Sequence, residues 1–313
     1  MSKDLSQQVA HPLPFIGIVT VLYRSDSVLE DFYASLKQQT SNSFRSRLYV
    51  IDNSPESSGT EMSRQLARHH GIDVVCIFNN SNVGVAAGNN QGIRLALADG
   101  CSHVLLANND TAFPAGTVAG LLATLMHERA EAITPKIYYY GAARLLWYAG
   151  APFSSWTIRG PHRGMLRPDK GQFDQREDTE YAPTCFMLVT SAVFLDTGLM
   201  DEQYFCYYDD TDFVFRLRQS GGRLIYEPAQ TVDHKVSTST GGDESPFSLF
   251  YMNRNRIYFA RKNLRGIQKA VALTYIMLTR LPRTASMGRL KAGRVWAGVR
   301  EGWRLPLRTE LWP

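Results

Sequence analysis

Phe15-Ile16-Gly17-Ile18-Val19-Thr20-Val21-Leu22 (FIGIVTVL) is an almost unbroken apolar run, rich in β-branched residues. Such a run reads as a strand buried on both faces, as in a parallel sheet packed between helices. Working outward, an amphipathic stretch from about Ser27 to Gln39 predicts a helix, and Arg47 to Ile51 (RLYVI) the next strand. A helix near Gly59 to His70 and a strand over Asp73 to Phe78 follow. A helix ending near Gly100 then leads into the strand His103 to Ala107. Strands alternating with helices predict an α/β fold with a mostly parallel central sheet flanked by helices. The turns after three of these strands are polar: Asp52-Asn53-Ser54-Pro55, Asn79 to Asn90, and Asn108-Asn109-Asp110. Open α/β sheets bind ligands at that carboxyl edge.

The second half is less regular. Leu145 to Gln175, rich in Gly, Trp, Pro and Arg, predicts loops or a small antiparallel excursion. Tyr181 to Thr190 and Leu224 to Tyr226 read as strands, and Asp210 to Ser220 as a helix stopped by Gly221-Gly222. From Phe247 the pattern is helical and basic, with Pro282 marking a break. The expected organisation is an α/β body over residues 1–246 and a basic helical extension over 247–313. Neither repeats nor low-complexity linkers interrupt it.

A chain of 313 residues with 44% hydrophobic and 20% charged residues suits a globular protein with a sizeable core. Cys76, Cys101, Cys185 and Cys206 lie far apart and form no CxxC pair, so they read as reduced thiols and not as a disulfide frame or zinc site. The start, MSKDLSQQVAHPLPF, lacks the apolar core of a signal peptide. Ala270 to Leu278 is the best apolar stretch, only about half of the roughly 20 residues a spanning helix needs. The net charge of +5 hides an asymmetry. From Arg254 onward 14 Lys+Arg face two acids, Glu301 and Glu310 (14 − 2 = +12), whereas the rest holds 20 Lys+Arg against 27 acids (20 − 27 = −7). An acidic body with a basic tail is not a nucleic-acid binder; the tail points to an anionic surface, phospholipid or phosphorylated lipid. Ala270, Leu273, Ile276, Met277 and Leu281 recur there at helical spacing, with the cations Lys269, Arg280 and Arg283 around them. They suit a helix in a membrane interface, or one packed on the core or on a second subunit of a homodimer.

Several segments carry chemistry. In Asn82-Val83-Gly84-Val85-Ala86-Ala87-Gly88-Asn89-Asn90, glycines allow close backbone approach and the following helix offers free N–H groups, an arrangement suited to a pyrophosphate. The same residues also make an ordinary strand-to-helix turn. Asp52 could accept from the N3–H of a pyrimidine base, or simply open its turn. Asp110 supplies a hard oxygen for Mg²⁺ or Mn²⁺, or caps a helix near Pro114. In Tyr207-Tyr208-Asp209-Asp210-Thr211-Asp212, three carboxylates in four positions repel unless a cation, a proton or helix-end donors offset them. One of them suits a general base; helix capping accounts for another, and Arg216 stands four residues from Asp212 for an ion pair. His234 alone reads as a packed or surface residue and gains interest only beside Asp110.

In order, IVTVLYRS, VIDNS, NNSNVGVAAGNNQGI, LLANNDT, YYDDTDFVFRLR and VDH resemble family-2 glycosyltransferases of the GT-A fold, above all bacterial rhamnosyltransferase-like and galactofuranosyltransferase-like members. The resemblance runs from about Phe15 to Lys262. It implies inverting transfer from a nucleoside-diphosphate sugar, thymidine-diphosphate rhamnose first and uridine-diphosphate sugars next. The acceptor would be a glycan or a lipid-diphosphate-linked saccharide, in cell-surface polysaccharide synthesis at the cytoplasmic face of the membrane. Thr20, Tyr23 and Asp52 would then line the base and ribose pocket, and Asn82, Gly84, Gly88 and Asn89 the diphosphate-sugar. Asn108, Asn109 and Asp110 stand where the family has its DxD-type motif, with Asp110 and His234 as ligands of Mg²⁺ or Mn²⁺. Asp209-Asp210 matches the family's acidic pair, with Asp210 as the base. Trp147, Asp174, Thr184 and Cys185 fall in segments resembling the acceptor-side and sugar-side wall. Asn108 departs from the stricter motif, which weakens metal binding and leaves metal-independent activity open. A sugar-1-phosphate nucleotidyltransferase would carry a glycine-rich basic loop after the first strand, where this chain has VLYRSDSVLE. A non-catalytic nucleotide-sugar-binding or scaffold protein is the other alternative.

Overall fold

The strand Phe15–Leu22 (β1) has its middle wholly covered because helices pack on both sides of it. The computed structural model describes residues 12–39, 41–142, 144–236 and 244–308. The leader reading at the N-terminus and the Glu310 charge fall almost entirely outside them. β1 pairs in parallel with Arg45–Asp52 (β2) and His103–Ala107 (β4), and β2 with Val74–Phe78 (β3). The helices Leu29–Lys37 (α1), Ser58–His70 (α2) and Val85–Ala98 (α3) connect these strands, the last lying so close to β1 that a Cβ on Gly88 or Gly92 would meet Val21 or Val19. Beyond β4 the sheet becomes mixed. Phe186–Thr190 (β9) enters antiparallel between β4 and Ala132–Tyr139 (β6), and β6 runs parallel to Leu224–His234 (β10). Thr111–Ala112 (β5) closes the edge against β10, and Leu146–Tyr148 (β7) and Glu177–Asp178 (β8) pair off the main path. The helix Thr117–Glu128 (α4) packs over β6 and β10.

Three sequence expectations are revised. β10 does not stop at Tyr226: Pro228 lacks an N–H and the register shifts between Glu227 and Thr231, after which the strand resumes to His234. The helix after Asn108-Asn109-Asp110 starts at Thr117, not near Pro114, and Gly116 caps it. Pro282 does not break the chain, since it sits exposed in the last turn of Gly266–Ala285 (α8).

Ser191–Asp196 (α5) and Asp209–Gln219 (α6) complete the body, and Pro246–Asn263 (α7), α8 and Arg289–Arg304 (α9) form the extension. Gly298 and Gly302 bring α9 against the backbone of α7, where any side chain would collide with the Phe250 and Arg254 carbonyls. A core of its own, including Ile257, Phe259, Ile276 and Val299, holds the extension and shares Tyr204 and Ile158 with the body. Polar bolts add to it. Lys262 Nζ lies 2.8 Å from Asp201 Oδ2 and 2.9 Å from Asp212 Oδ1, all three side chains nearly or wholly out of water. Arg216 Nε pairs with Asp212 Oδ2 at 2.7 Å, the i,i+4 contact the sequence offered.

Candidate active site

Loops at the carboxyl ends of β1 to β4 meet the end of β10 around one cleft of about 1460 Å³. Tyr23, Asn82, Gly84, Asn108, Asn109, Asp110, Trp147 and His234 all line it. The antiparallel pairing of β5 with β10 sets His234 opposite Thr111, and this register brings His234 Nε2 to 3.1 Å from Asp110 Oδ1. Residues 124 positions apart thus share one corner of the cleft (234 − 110 = 124). Because Thr111 continues as a strand, Asp110 is not a helix cap. Asn109 is tied down, its Nδ2 donating to the Val21 carbonyl at 3.0 Å and to Ser25 Oγ at 2.9 Å.

From that corner an aromatic bridge crosses the wall. The Trp147 ring meets His234 edge-on at 4.7 Å and His162 at 4.5 Å. His162 in turn stacks on Tyr181 at 5.8 Å. Burial pushes the His162 imidazole down to a pKa of about 4, so it is neutral. Tyr181 then donates its hydroxyl to Asp210 Oδ2 at 2.6 Å. Asp209 and Asp210 are not part of the cleft lining; they follow Cys206 and Tyr207, which are. Asp210 is half-buried and Asp209 is buried. After burial, the next influences on the Cys185 thiol are the Asp110 and Asp210 carboxylates, and all push it well up.

Burial raises the pKa of both adjacent carboxyls, and for Asp209 the charge of Asp210 adds to it. Desolvated like charges cannot both ionise freely. Asp210 accepts from Tyr181 and from the Thr211 N–H and hydroxyl, which favours its charged form. Asp209 thus holds the proton of the pair. Burial would raise Asp212 as well, but Arg216 and Lys262 outweigh it and hold that carboxyl at about 2. Of the three acids, Asp212 is structural.

The segment before α6 is strained: Phe205, Tyr207 and Tyr208 have φ of 60°, 65° and 66°. Each such residue costs about 1–3 kcal/mol and persists only where its surroundings over-determine it. α7 supplies the hold. Asn255 Nδ2 donates to the Tyr204, Cys206 and Tyr207 carbonyls, each at 2.8 Å, and Arg254 Nη2 to the Tyr204 carbonyl at 2.8 Å.

Several sequence expectations are corrected. Asp52 is wholly buried, with Oδ1 accepting from the Ser54 N–H at 2.9 Å and Oδ2 from the Thr60 N–H at 2.9 Å and hydroxyl at 2.8 Å. Its oxygens close its own turn, and Asp52 does not line the cleft, whereas its neighbour Asn53 does. Thr20 is buried within β1. Gly88 serves helix-to-strand packing, and Asn89 is buried beside the Met200 sulfur. At the start of α3 the Val85 N–H is already taken, donating to the Phe205 carbonyl at 2.6 Å. Asp174 pairs with Lys136 away from the cleft. Thr184 and Cys185 are buried behind the wall, although the Cys185 carbonyl accepts from the Asn108 N–H at 2.8 Å.

The family model of glycosyl transferase family 2 matches residues 17–194. The chain belongs to this family. Its relatives include the low-salt glycan biosynthesis hexosyltransferase Agl10 of Haloferax volcanii, 26% identical over 77% of this chain and 74% of that one. The N-acetylglucosaminyl-diphospho-decaprenol L-rhamnosyltransferase of Mycobacterium tuberculosis is 26% identical over 79% of this chain and 85% of its own. Among solved structures, GalNAc-T7 with UDP, GalNAc and Mn²⁺ superposes with a TM-score of 0.60 at 15% identity, covering 85% of this chain and 55% of that one. This glycosyltransferase therefore has the GT-A architecture. The family match ends before α6 and His234, so the placement of Asp210 and His234 rests on geometry.

Sequence reading of this family-2 chain missed Arg24, Asn53, His162 and Tyr181. Arg24 carries a signal of sorts, a cation directly after Tyr23 at the end of β1. Its guanidinium is exposed at the cleft, 5.6 Å from the Tyr23 ring, and joins no ion pair among the described residues. A divalent cation fits the opposite corner: Asp110 offers an oxygen and His234 a nitrogen within one ion's reach. The described residues contain no group of three or more His, Cys, Asp or Glu side chains to hold a metal. The remaining positions therefore suit donor oxygens and water, as expected for Mg²⁺ or for imidazole-tolerant Mn²⁺.

Proposed function

We propose that this glycosyltransferase inverts the anomeric carbon while moving a hexose from a nucleoside-diphosphate sugar to a hydroxyl of a glycan or lipid-diphosphate-linked saccharide. Thymidine-diphosphate rhamnose is the first-choice donor and uridine-diphosphate sugars the next, in line with the rhamnosyltransferase among its relatives. The acceptor is met at the inner membrane surface, beside the basic extension. The observation that carries this assignment is the Asp110–His234 pair at 3.1 Å, joined by the aromatic bridge to an activated carboxylate at Asp210.

The chemistry is a single displacement. Asp210 takes the proton of the acceptor hydroxyl as its oxygen bonds to the anomeric carbon. The bond from that carbon to the diphosphate breaks on the opposite face, and the nucleoside diphosphate leaves. Tyr23 and Arg24 flank the nucleotide, Asn82 and Asn108 the diphosphate, and Trp147 with His162 the sugar. Asp110 and His234 would hold Mg²⁺ or Mn²⁺, which supplies Lewis-acid stabilisation of the departing charge.

Thermal-shift screening of nucleotide sugars with and without Mn²⁺ tests the assignment. A rise in Tm that is specific to one donor supports it, and no response to any nucleotide sugar refutes it. His234→Ala is expected to weaken Mn²⁺ binding, read from the same shift, by at least about tenfold.

Tyr181 is a positioning residue: it aims Asp210 and favours its ionised form. Since folded Asp210 already titrates above the usual carboxylate range, activity falls on the acid side at a higher pH than for an ordinary aspartate. Tyr181→Phe removes a bond that lowers this pKa, so the acid limb of kcat/KM moves further up while donor KM stays. An unshifted limb contradicts this role.

A further inference from the structure

The helix α8 has two apolar faces. Leu273, Ile276 and Met277 of the predicted stripe point inward and pack on the extension's core, so that part of the stripe is internal. On the opposite side Ile267 is 75% exposed, Val271 41%, Leu278 61% and Leu281 56%. These four recur at intervals of four, seven and three residues, which places them on one side of a helix about 30 Å long. Between Arg265 and Arg283 no exposed position of α8 is charged: the outer residues are Gly266, Ala270, Thr274 and Pro282 besides those four. Leu290, at the start of α9, adds another side chain 73% exposed.

An uncovered apolar strip of this length needs a partner. Its ends say which. Arg265, Arg283 and Arg289 are all exposed around it, and the chain from Arg254 onward carries 14 Lys+Arg against two acids. A second copy docked here would bring these like charges together, whereas an anionic surface is attracted by them. Among the described residues no helix is long and apolar enough to cross a membrane. The strip therefore suits a helix lying in the plane of the interface.

We propose that α8 seats the protein on an anionic phospholipid bilayer through Ile267, Val271, Leu278 and Leu281, with the flanking arginines on the headgroups. The proposal rests on the membrane-side part of the proposed function and not on its transfer chemistry. α7, on which α8 packs, contributes Phe247 and Met252 to the cleft wall. Seating by α8 thus leaves the cleft one helix away from the lipid surface, where a lipid-linked acceptor presents its sugar.

The test is sedimentation of the full chain with vesicles of phosphatidylcholine alone or mixed with phosphatidylglycerol. Light scattering and the donor thermal shift are measured in parallel. The intact chain is expected to pellet with the mixed vesicles and to be released by salt. Joint replacement Ile267→Ser, Leu278→Ser and Leu281→Ser is expected to reduce binding about tenfold or more. Because these side chains are exposed, Tm and the donor shift should not change. The proposal is overturned if the triple variant pellets like the intact chain, if the intact chain stays in the supernatant, or if the replacement turns a dimer into a monomer. Vesicle binding without a response to any nucleotide sugar would uphold the seating and refute the transfer chemistry.

Discussion

Asp210→Asn is expected to lower kcat by about 10²–10⁴-fold while leaving donor binding intact. The amide keeps the size and the Tyr181 bond but accepts no proton, so only the step that removes the acceptor's proton is lost. Donor affinity should survive because the contacts proposed for it are with Tyr23, Arg24 and the Asp110 corner. Asp209→Asn makes the comparison sharp. Asp209 is buried and already carries the pair's proton, so an amide nearly reproduces its resting state. Its kcat should fall far less than that of Asp210→Asn. Measurement of kcat and of donor Kd for both variants checks this, and equal losses would remove Asp210 from its role. Unchanged transfer in Asp210→Asn would favour a different base, whereas a loss of donor binding would mean that the substitution had disturbed the cleft.

Much of the parallel half of the sheet was legible because its strands are covered on both faces, which makes them continuous apolar runs ending in polar turns. Asp110 and His234 were legible as a pair only through resemblance, since the β5–β10 register that joins them is a tertiary fact. Asp52 and Asn53 show where a linear reading fails. Successive residues at the end of a strand point to opposite sides, so the conspicuous carboxylate turned to its own backbone while only its neighbour Asn53 joined the cleft lining. His162 and Tyr181 left no periodic trace, because they sit on irregular chain and act through side chains that stack. The charged cluster of α6 resolved by partner: Lys262 and Arg216 claimed Asp212, and their absence at Asp209 and Asp210 left those two coupled. The stripe of α8 left two readings open, packed on the core or facing outward, because a helix apolar on opposite faces gives no single direction.

Lys262→Met is expected to cost the fold about 3–5 kcal/mol, on the order of 10 °C in Tm. Methionine fills much the same space but leaves Asp201 and Asp212 facing each other where their charges were jointly balanced, 2.8 and 2.9 Å from one ammonium. Tyr258, Asn263 and Arg216 still donate to them, which sets the upper bound on the loss. The pH dependence has a definite sign. Folded Asp212 titrates at about 2 against an ordinary value of 3.8, so its stabilisation is fully present above 3.8 and disappears as the pH falls through 2. Without Lys262 the folded pKa rises toward the unfolded one. The stability gap between parent and variant should therefore be wide at neutral pH and close in acid, as thermal melts at pH 7 and near pH 2 would show. Catalysis should also register the change. Asp212 stands two residues after Asp210 on α6, and Lys262 is the cation that ties this helix to α7, so a loosened tie lets the base drift from the hydroxyl it must meet. A fall in kcat at unchanged donor KM, at a temperature where the variant is fully folded, is the expected result; a variant as stable as the parent would mean that Arg216, Asn263 and Tyr258 suffice to balance the two acids.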